Sequence, residues 1–585
     1  MPADKALSTI RKARDNSVMK PLFILIFPFI VAAAEPADNW RAEKRIIDMH
    51  VHLDGSAGGM ARAATILDRA GVGIGVNLSG GTVTHKDGEQ SQFERVKALA
   101  DGRHPGRFVH YMNLDFAGWD ADDFSERAAK QVEEGHRLGA AGLKEYKRLG
   151  LFLRDGKKQL IAIDDPKLDA MWAKCGELGM PVSIHVADPR AFWLPYDEKN
   201  ERWTELKDHK SWWFGDAAKY PPREELLAAL DRVIARHPKT TFVCVHFANN
   251  SEDIDWVASR LDARPNMHAD LAARIPELGR AAPEKVRAMF TKYADRIFFA
   301  TDFMVYNKLI LGSGGDADNP TDDDAHTFYQ KCWRYLETAD RDWVHMTPIQ
   351  GGWTISSIAL PPHVLRKIYF DNARKLLARA LPLPIMKAAR TARDFVPDGI
   401  LDDPEWATAA PVRLEYHSPN ASARPELSTT VRALWSDGFL YLAYECPFTK
   451  LTVFEPAQKE ERIGLWDRDV VEAFICTNEK PTSYTEYEWA PNGESLDLKI
   501  DLPAKDFAWS SRMESAVAID EAARIWRCEV RIPMKALAAA EPKSGVRWRI
   551  NLFRMDTAGK AGLAFSPALR GSFHTPERFG WLELR

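Results

Sequence analysis

From residue 46 to about residue 380 the chain alternates between short, almost wholly apolar runs and longer stretches with helical spacing of apolar positions. The runs are Ile46–His52, Val72–Leu78, Phe108–Leu114, Ala141–Tyr146, Val182–Val186, Thr241–Phe247, Met267–Leu271 and Ile297–Thr301. Runs of this length without polar alternation suit strands covered on both faces, as in a parallel sheet. The intervening segments, such as Lys167–Leu178, Arg223–His237 and Ile254–Leu261, read as amphipathic helices. Eight strand–helix units over residues 46–380 predict an α/β TIM barrel, (β/α)8, with enlarged loops. A doubly wound open sheet is the alternative, but no glycine-rich phosphate loop follows the first strand.

After Ala380 the pattern changes. Pro382 and Pro384 break the last helix, and from about residue 396 short strand-like runs alternate with turns. Asp398-Gly399, Asp437-Gly438 and Asn492-Gly493 are turn dipeptides, and aromatic-rich runs such as Phe439–Tyr444 and Trp548–Phe553 flank them. This predicts an all-β sandwich over residues 394–585. Neither internal repeats nor low-complexity tracts interrupt the 585 residues.

The first 45 residues do not read as part of either fold. Lys20 precedes Pro21–Ala34, an apolar run that ends in three alanines, which is the layout of a signal peptide with cleavage after Ala34. The run is shorter than the about 20 residues needed to span a bilayer, so no stable membrane span is expected. Met19 is a natural start, which makes residues 1–18 an upstream extension. The expected location is secreted or periplasmic. Net charge is −4, and Lys and Arg are scattered rather than clustered. That excludes nucleic-acid binding, which needs a basic face. The six cysteines, Cys175, Cys244, Cys332, Cys446, Cys476 and Cys528, include no CxxC pair and signal neither a disulfide framework nor a zinc ribbon. Cys244 and Cys476 fall within apolar runs and are expected as buried thiols.

His50 and His52 end the first strand candidate. Residues i and i+2 of a strand point the same way, so both imidazoles can face one metal at the barrel mouth. His185, His246 and Asp302 stand at the ends of strand candidates five, six and eight. In a TIM barrel those ends converge on the C-terminal face, where active sites form. A single strand-end histidine is ordinary packing, but the ordered set points to a divalent metal.

That ordered set resembles the amidohydrolase superfamily, and Ile368–Leu377 resembles the helix that closes its amidohydrolase-2 branch. The resemblance implies that His50, His52, His185 and Asp302 hold a divalent metal, commonly zinc. It implies that His246 holds a second ion or poises the substrate, and that Asp302 moves a proton. Three imidazoles and a carboxylate suit Zn²⁺, Mn²⁺ or Fe²⁺. Lys144 stands where binuclear members carry a bridging carboxylated lysine, so one or two ions remain open. Lys144 or Lys147 can instead anchor a substrate carboxylate. Arg274 and Asp270, at the end of strand seven, are candidates to bind an acidic group or to orient ligands. The loop after strand five carries Phe192, Trp193, Tyr196, Trp203, Trp212, Trp213 and Phe214, of which Trp193 is a candidate substrate contact. The branch holds hydrolases of esters, lactones and amides as well as non-oxidative decarboxylases. Hydrolysis of a small carboxylate, lactone, ester or amide is the expected reaction, with decarboxylation as the alternative.

Asp398–Trp406, Trp466–Phe474, Trp548–Phe553 and Phe573–Trp581 resemble family 9 carbohydrate-binding modules, β-sandwiches that stack sugars on tryptophan. The resemblance implies Trp466, Trp489 and Trp509 as stacking candidates and a structural calcium, for which Asp467 and Asp469 are candidates. A carbohydrate-recognition protein with an inactive barrel is the rival to an enzyme, and the intact ligand set argues against it.

Overall fold

The computed structural model describes residues 37–538 and 542–585, so the expected signal peptide at 1–34 lies outside it. Eight strands run parallel in sequence order: β1 Ile46–Leu53, β2 Val72–Asn77, β3 Phe108–Asn113, β4 Gly142–Glu145, β5 Val182–Ile184, β6 Phe242–Cys244, β7 Met267–Asp270 and β8 Ile297–Phe298. Helices join most of them, among them Arg223–Arg236 and Ile254–Ala263. All residues of β1 and β3 are buried, which is the reason for their unbroken apolar pattern. The result is a curled parallel sheet under a continuous core.

Two strand ends differ from the sequence expectation. The sixth run was expected through Phe247, but β6 stops at Cys244 and the chain turns left-handed. His246, Phe247, Ala248 and Asn249 have φ of 55°, 53°, 60° and 57°. The eighth run was expected through Thr301, but β8 ends at Phe298, and Asp302 has φ 63°. Beyond it β9, Phe303–Val305, lies parallel to β1, and β10, Leu309–Leu311, folds back on β9. Met49 N–H donates to Phe299 O at 3.0 Å and Asp302 N–H to His50 O at 2.9 Å, which holds the segment after β8 against β1. Left-handed backbone costs an L-residue about 1–2 kcal/mol, and such strain concentrates where function needs a side chain aimed.

The described residues of 385–585 form a sheet-rich domain of fourteen connected strands, eleven in one continuous order and three branching from it. Strand Ile385–Arg390 links its two halves. It pairs with Gly580–Leu584 through residues 385–388 and with Thr429–Trp435 through 389–390. Trp435, Trp489, Trp526, Leu442, Val471 and Ile550 share one buried apolar cluster drawn from both halves. The two sheet regions meet across a charged contact. Glu415 Oε2 accepts from Arg45 at 2.6 Å and from Arg366 at 2.7 Å, and Arg366 also binds Asp371 at 2.9 Å. All six cysteines are buried and free. No helix among the described residues is long and apolar enough to cross a membrane.

Candidate metal centre

The C-terminal ends of the parallel strands open on a cavity of about 340 Å³ whose walls include His50, His52, Lys144, His185, His246 and Asp302. His50 and His52 leave β1 on the same side. Their Nε2 atoms are 3.2 Å apart, and each faces Asp302 Oδ1, at 3.3 and 3.4 Å. The opposite ring nitrogens are occupied. His50 Nδ1 bonds Asp270 Oδ2 at 2.9 Å, and His52 Nδ1 bonds Ser79 Oγ at 2.7 Å. His246 Nδ1 donates to Ala272 O at 2.9 Å. The carboxylate and carbonyl acceptors place the protons of His50 and His246 on Nδ1, so the Nε2 lone pairs of these two rings turn toward the cavity.

Three electron-pair donors aimed at one spot repel each other unless a cation lies among them. Tetrahedral ligands at about 2.0–2.2 Å from a zinc-like ion are about 3.3–3.6 Å apart, and the observed 3.2, 3.3 and 3.4 Å lie at or just under the short end of that spacing. Asp302 Oδ1 is buried without a hydrogen-bond partner. Ligand atoms of His50, His246 and Asp302 all lie within 4.8 Å of one another. The residues present therefore fit a divalent metal.

Protonation agrees with that fit. Burial drives the His50 and His246 rings well below their usual range. The same cause takes His185 down to about 4, opposed by its hydrogen bond to Asp188. The rings are thus neutral and able to ligate. Burial works against the Asp302 carboxylate, yet His50, His52 and Lys144 together hold it below the carboxylate range. Asp302 is ionised. Lys144 is 1% exposed, its Nζ has no partner, and burial lowers it to about 8 against the pull of Asp270 and Asp302.

The structure brings His185 to the cavity but not into the tight donor set. Its ring lies 4.3 Å from that of His246, centroid to centroid, and its Nε2 faces Asp188 Oδ1 at 3.3 Å. Asp188 is a residue that the sequence pattern did not single out. It binds Lys147 Nζ and lies 3.5 Å from Arg274 Nη2. Burial opposes its charge, but Lys147, His185 and Arg274 keep it ionised. Lys147 and Arg274 both line the cavity, with Trp212 and Phe192 rings 5.0 and 5.9 Å from Lys147 Nζ. Trp193 does not line it. Its indole donates to Pro221 O at 3.0 Å and its ring packs on Phe214, whereas Trp212 lines the cavity.

Other residues position the site. Asp270 Oδ1 accepts the His246 N–H at 2.8 Å, so one carboxylate orients two histidines. Asp48, on β1, accepts from Tyr329 Oη at 2.8 Å and from the N–H groups of His50 and Thr301, both at 3.1 Å. Asn249 joins the β5 and β6 ends. Its Oδ1 accepts Val186 N–H at 2.9 Å, and its own carbonyl accepts Arg223 Nη2 at 2.9 Å. The only sequence signals for these roles were the polar residues Asp48 and Asp270 inside apolar runs.

In the sheet-rich domain Trp466 lines a cavity of about 490 Å³. Trp489 does not serve as a platform. It is 1% exposed and stacked on Tyr487 within the core, so no face is open to a sugar. Trp509 packs half-buried against the same core. Asp469 is engaged by backbone on both oxygens. Its Oδ2 accepts Thr452 N–H at 2.9 Å and its Oδ1 accepts Thr557 N–H at 2.7 Å, which makes it a loop clamp.

Residues 47–379 match the family model described as Amidohydrolase, over more than half of the chain. The chain belongs to the amidohydrolase family. Residues 397–585 match the model described as Carbohydrate family 9 binding domain-like. No curated protein matches the chain. Among solved structures, this amidohydrolase is similar to a 2,6-dihydroxybenzoate decarboxylase from Rhizobium. That match has 14% identity and a TM-score of 0.34, and covers 57% of this chain and 98% of the other. It is also similar to an L-hydantoinase (dihydropyrimidinase) from Arthrobacter aurescens, at 11% identity and TM-score 0.33, covering 57% and 71%. A family 9 carbohydrate-binding module from Caldicellulosiruptor kristjanssonii, in complex with cellotriose, matches at 17% identity and TM-score 0.27, covering 34% and 94%.

Proposed function

We propose that this amidohydrolase is an exported, metal-dependent hydrolase of small lactone, ester or amide substrates that carry a carboxylate. The observation that carries the reading is the facing of His50 Nε2, His52 Nε2 and Asp302 Oδ1 within 3.2–3.4 Å of one another. In this reading the parallel sheet is a closed (β/α)8 barrel, supported by the Met49–Phe299 and Asp302–His50 hydrogen bonds. The sheet-rich domain is a β-sandwich that holds a carbohydrate. Support for that comes from its family match and from the aromatic cavity beside Trp466. Export rests on the sequence of residues 20–34.

His50, His52 and Asp302 would hold the ion, most simply zinc, with His246 and His185 next to it. Bound there, a divalent ion acidifies water and polarises a substrate carbonyl. Asp302, ionised in the folded protein, takes the water's proton on its carboxylate and passes it to the leaving group. Lys147 and Arg274 share the single carboxylate Asp188, which leaves one positive charge in excess to receive a substrate carboxylate. Trp212 and Phe192 give the pocket an apolar wall. In a binuclear site Lys144, buried and unpaired, would bridge two ions once carboxylated.

Assay of metal-loaded protein against lactone, ester, amide and aromatic-acid panels tests the reaction. Hydrolysis is the expected outcome, and release of carbon dioxide without hydrolysis replaces it with decarboxylation. Metal content of Lys144→Ala tests the bridge, which an unchanged ion count rejects.

A further inference from the structure

The cavity beside Trp466 has an acidic floor that a neutral sugar does not require. Glu472 lies on strand Val470–Cys476, and Glu486 and Glu488 lie on its neighbour Ser483–Trp489. Glu472 faces Glu488 in register, and Glu486, two residues on, shares their face. Exposures are 2%, 3% and 0%. Glu472 Oε1 and Glu486 Oε2 are buried without a hydrogen-bond partner, and both residues line the cavity.

Among the described residues no Lys or Arg comes within ion-pair distance of the three. His574 Nδ1 is 3.9 Å from Glu486, but burial and Lys505 drive its ring down to about 4, so it is neutral. Lys505, exposed at the rim, bonds His574 Nε2 at 2.7 Å and lies 5.8 Å from the Trp466 ring. Buried carboxylates without partners are costly and are relieved by a proton or a cation. Burial pushes all three upward, and repulsion from neighbouring carboxylates adds to it at Glu472 and Glu488, while Lys505 pulls the other way, so the cluster favours a proton or a cation. The walls include the partly exposed rings of Trp466 and Phe573, and aromatic faces receive both a pyranose ring and an ammonium group.

We propose that this cavity selects an amino sugar, seating the sugar ring against Trp466 and its protonated amine against Glu472 and Glu486. The proposal rests on the reading of this domain as carbohydrate-binding and narrows its ligand to a cationic sugar.

Isothermal titration of the full chain with D-glucosamine, N-acetylglucosamine and glucose near neutral pH tests it. N-acetylation keeps the ring and removes the charge. Glucosamine is expected to bind at least tenfold more tightly than the two neutral sugars, a difference of about 1.4 kcal/mol. Glu486→Gln is expected to abolish the preference for glucosamine, whereas Trp466→Ala weakens all three. Equal affinities for glucose and glucosamine overturn the amino-sugar inference while carbohydrate binding stands. Absence of heat from every sugar overturns both. Binding of calcium alone, with no response to glucosamine, also rejects the inference.

Discussion

Asp270 shows how much of this site depends on single side chains behind the ligands. One oxygen fixes the His50 ring and the other the His246 backbone, so its loss frees two donors at once. Asp270→Ala is expected to lower metal affinity about 10–100-fold, read by competition with a chromophoric chelator; unchanged affinity contradicts the orienting role. His50, His52, His185, His246 and Asp302 were legible in the sequence because each ends an apolar run. Asp188 was not, because its partners Lys147 and Arg274 come from different loops and meet only in the folded chain. Trp489 misled for the opposite reason. An aromatic in a strand has the same sequence appearance whether it faces solvent or core.

At the scale of elements, continuous apolar runs located all eight parallel strands, since burial on both faces leaves few polar positions to blur the pattern. The ends of β6 and β8 were not legible. The left-handed turn at His246–Asn249 is imposed by tertiary hydrogen bonds from Asp270, Arg223 and the β5 exit rather than by local propensity. Asn249→Gly keeps the left-handed backbone and deletes the clamp, so metal affinity should fall, with a modest drop in melting temperature from the unpaired Val186 N–H. Asn249→Ala adds backbone strain and should lower the melting temperature further; equal melting of the two variants contradicts this account. In the second domain, burial first, then Glu472 and Glu486, raise Glu488 well above its ordinary value of 4.5. It is protonated when folded and ionised when unfolded, so its destabilising effect begins above about pH 4.5 and grows as pH rises. Glu488→Gln should therefore stabilise the protein at pH 8 and give no gain at pH 4.5, measured by denaturant unfolding. A gain at low pH alone reverses the sign and rejects the argument.

At the scale of the molecule, the described residues from Ala37 onward pack as one compact unit. Glu415, 2% exposed, bridges Arg45 and Arg366 at the junction of the two sheet regions. Glu415→Ala leaves two largely buried guanidinium groups without that partner, a loss of about 3–5 kcal/mol for a buried pair. Calorimetry should then resolve two transitions, and a single unshifted one contradicts the junction's role. The two-part division was plain from the change of pattern after Ala380, but this coupling was not, because its charged residues are spread over some 370 positions of sequence. In the proposed function His50, His52 and Asp302 hold a divalent ion. Elemental analysis of the dialysed full-length protein beside a His50→Ala/His52→Ala variant tests it most directly. At least one divalent ion per wild-type chain, lost in the variant, is the predicted result; a metal-free wild type or an unchanged content in the variant would contradict it.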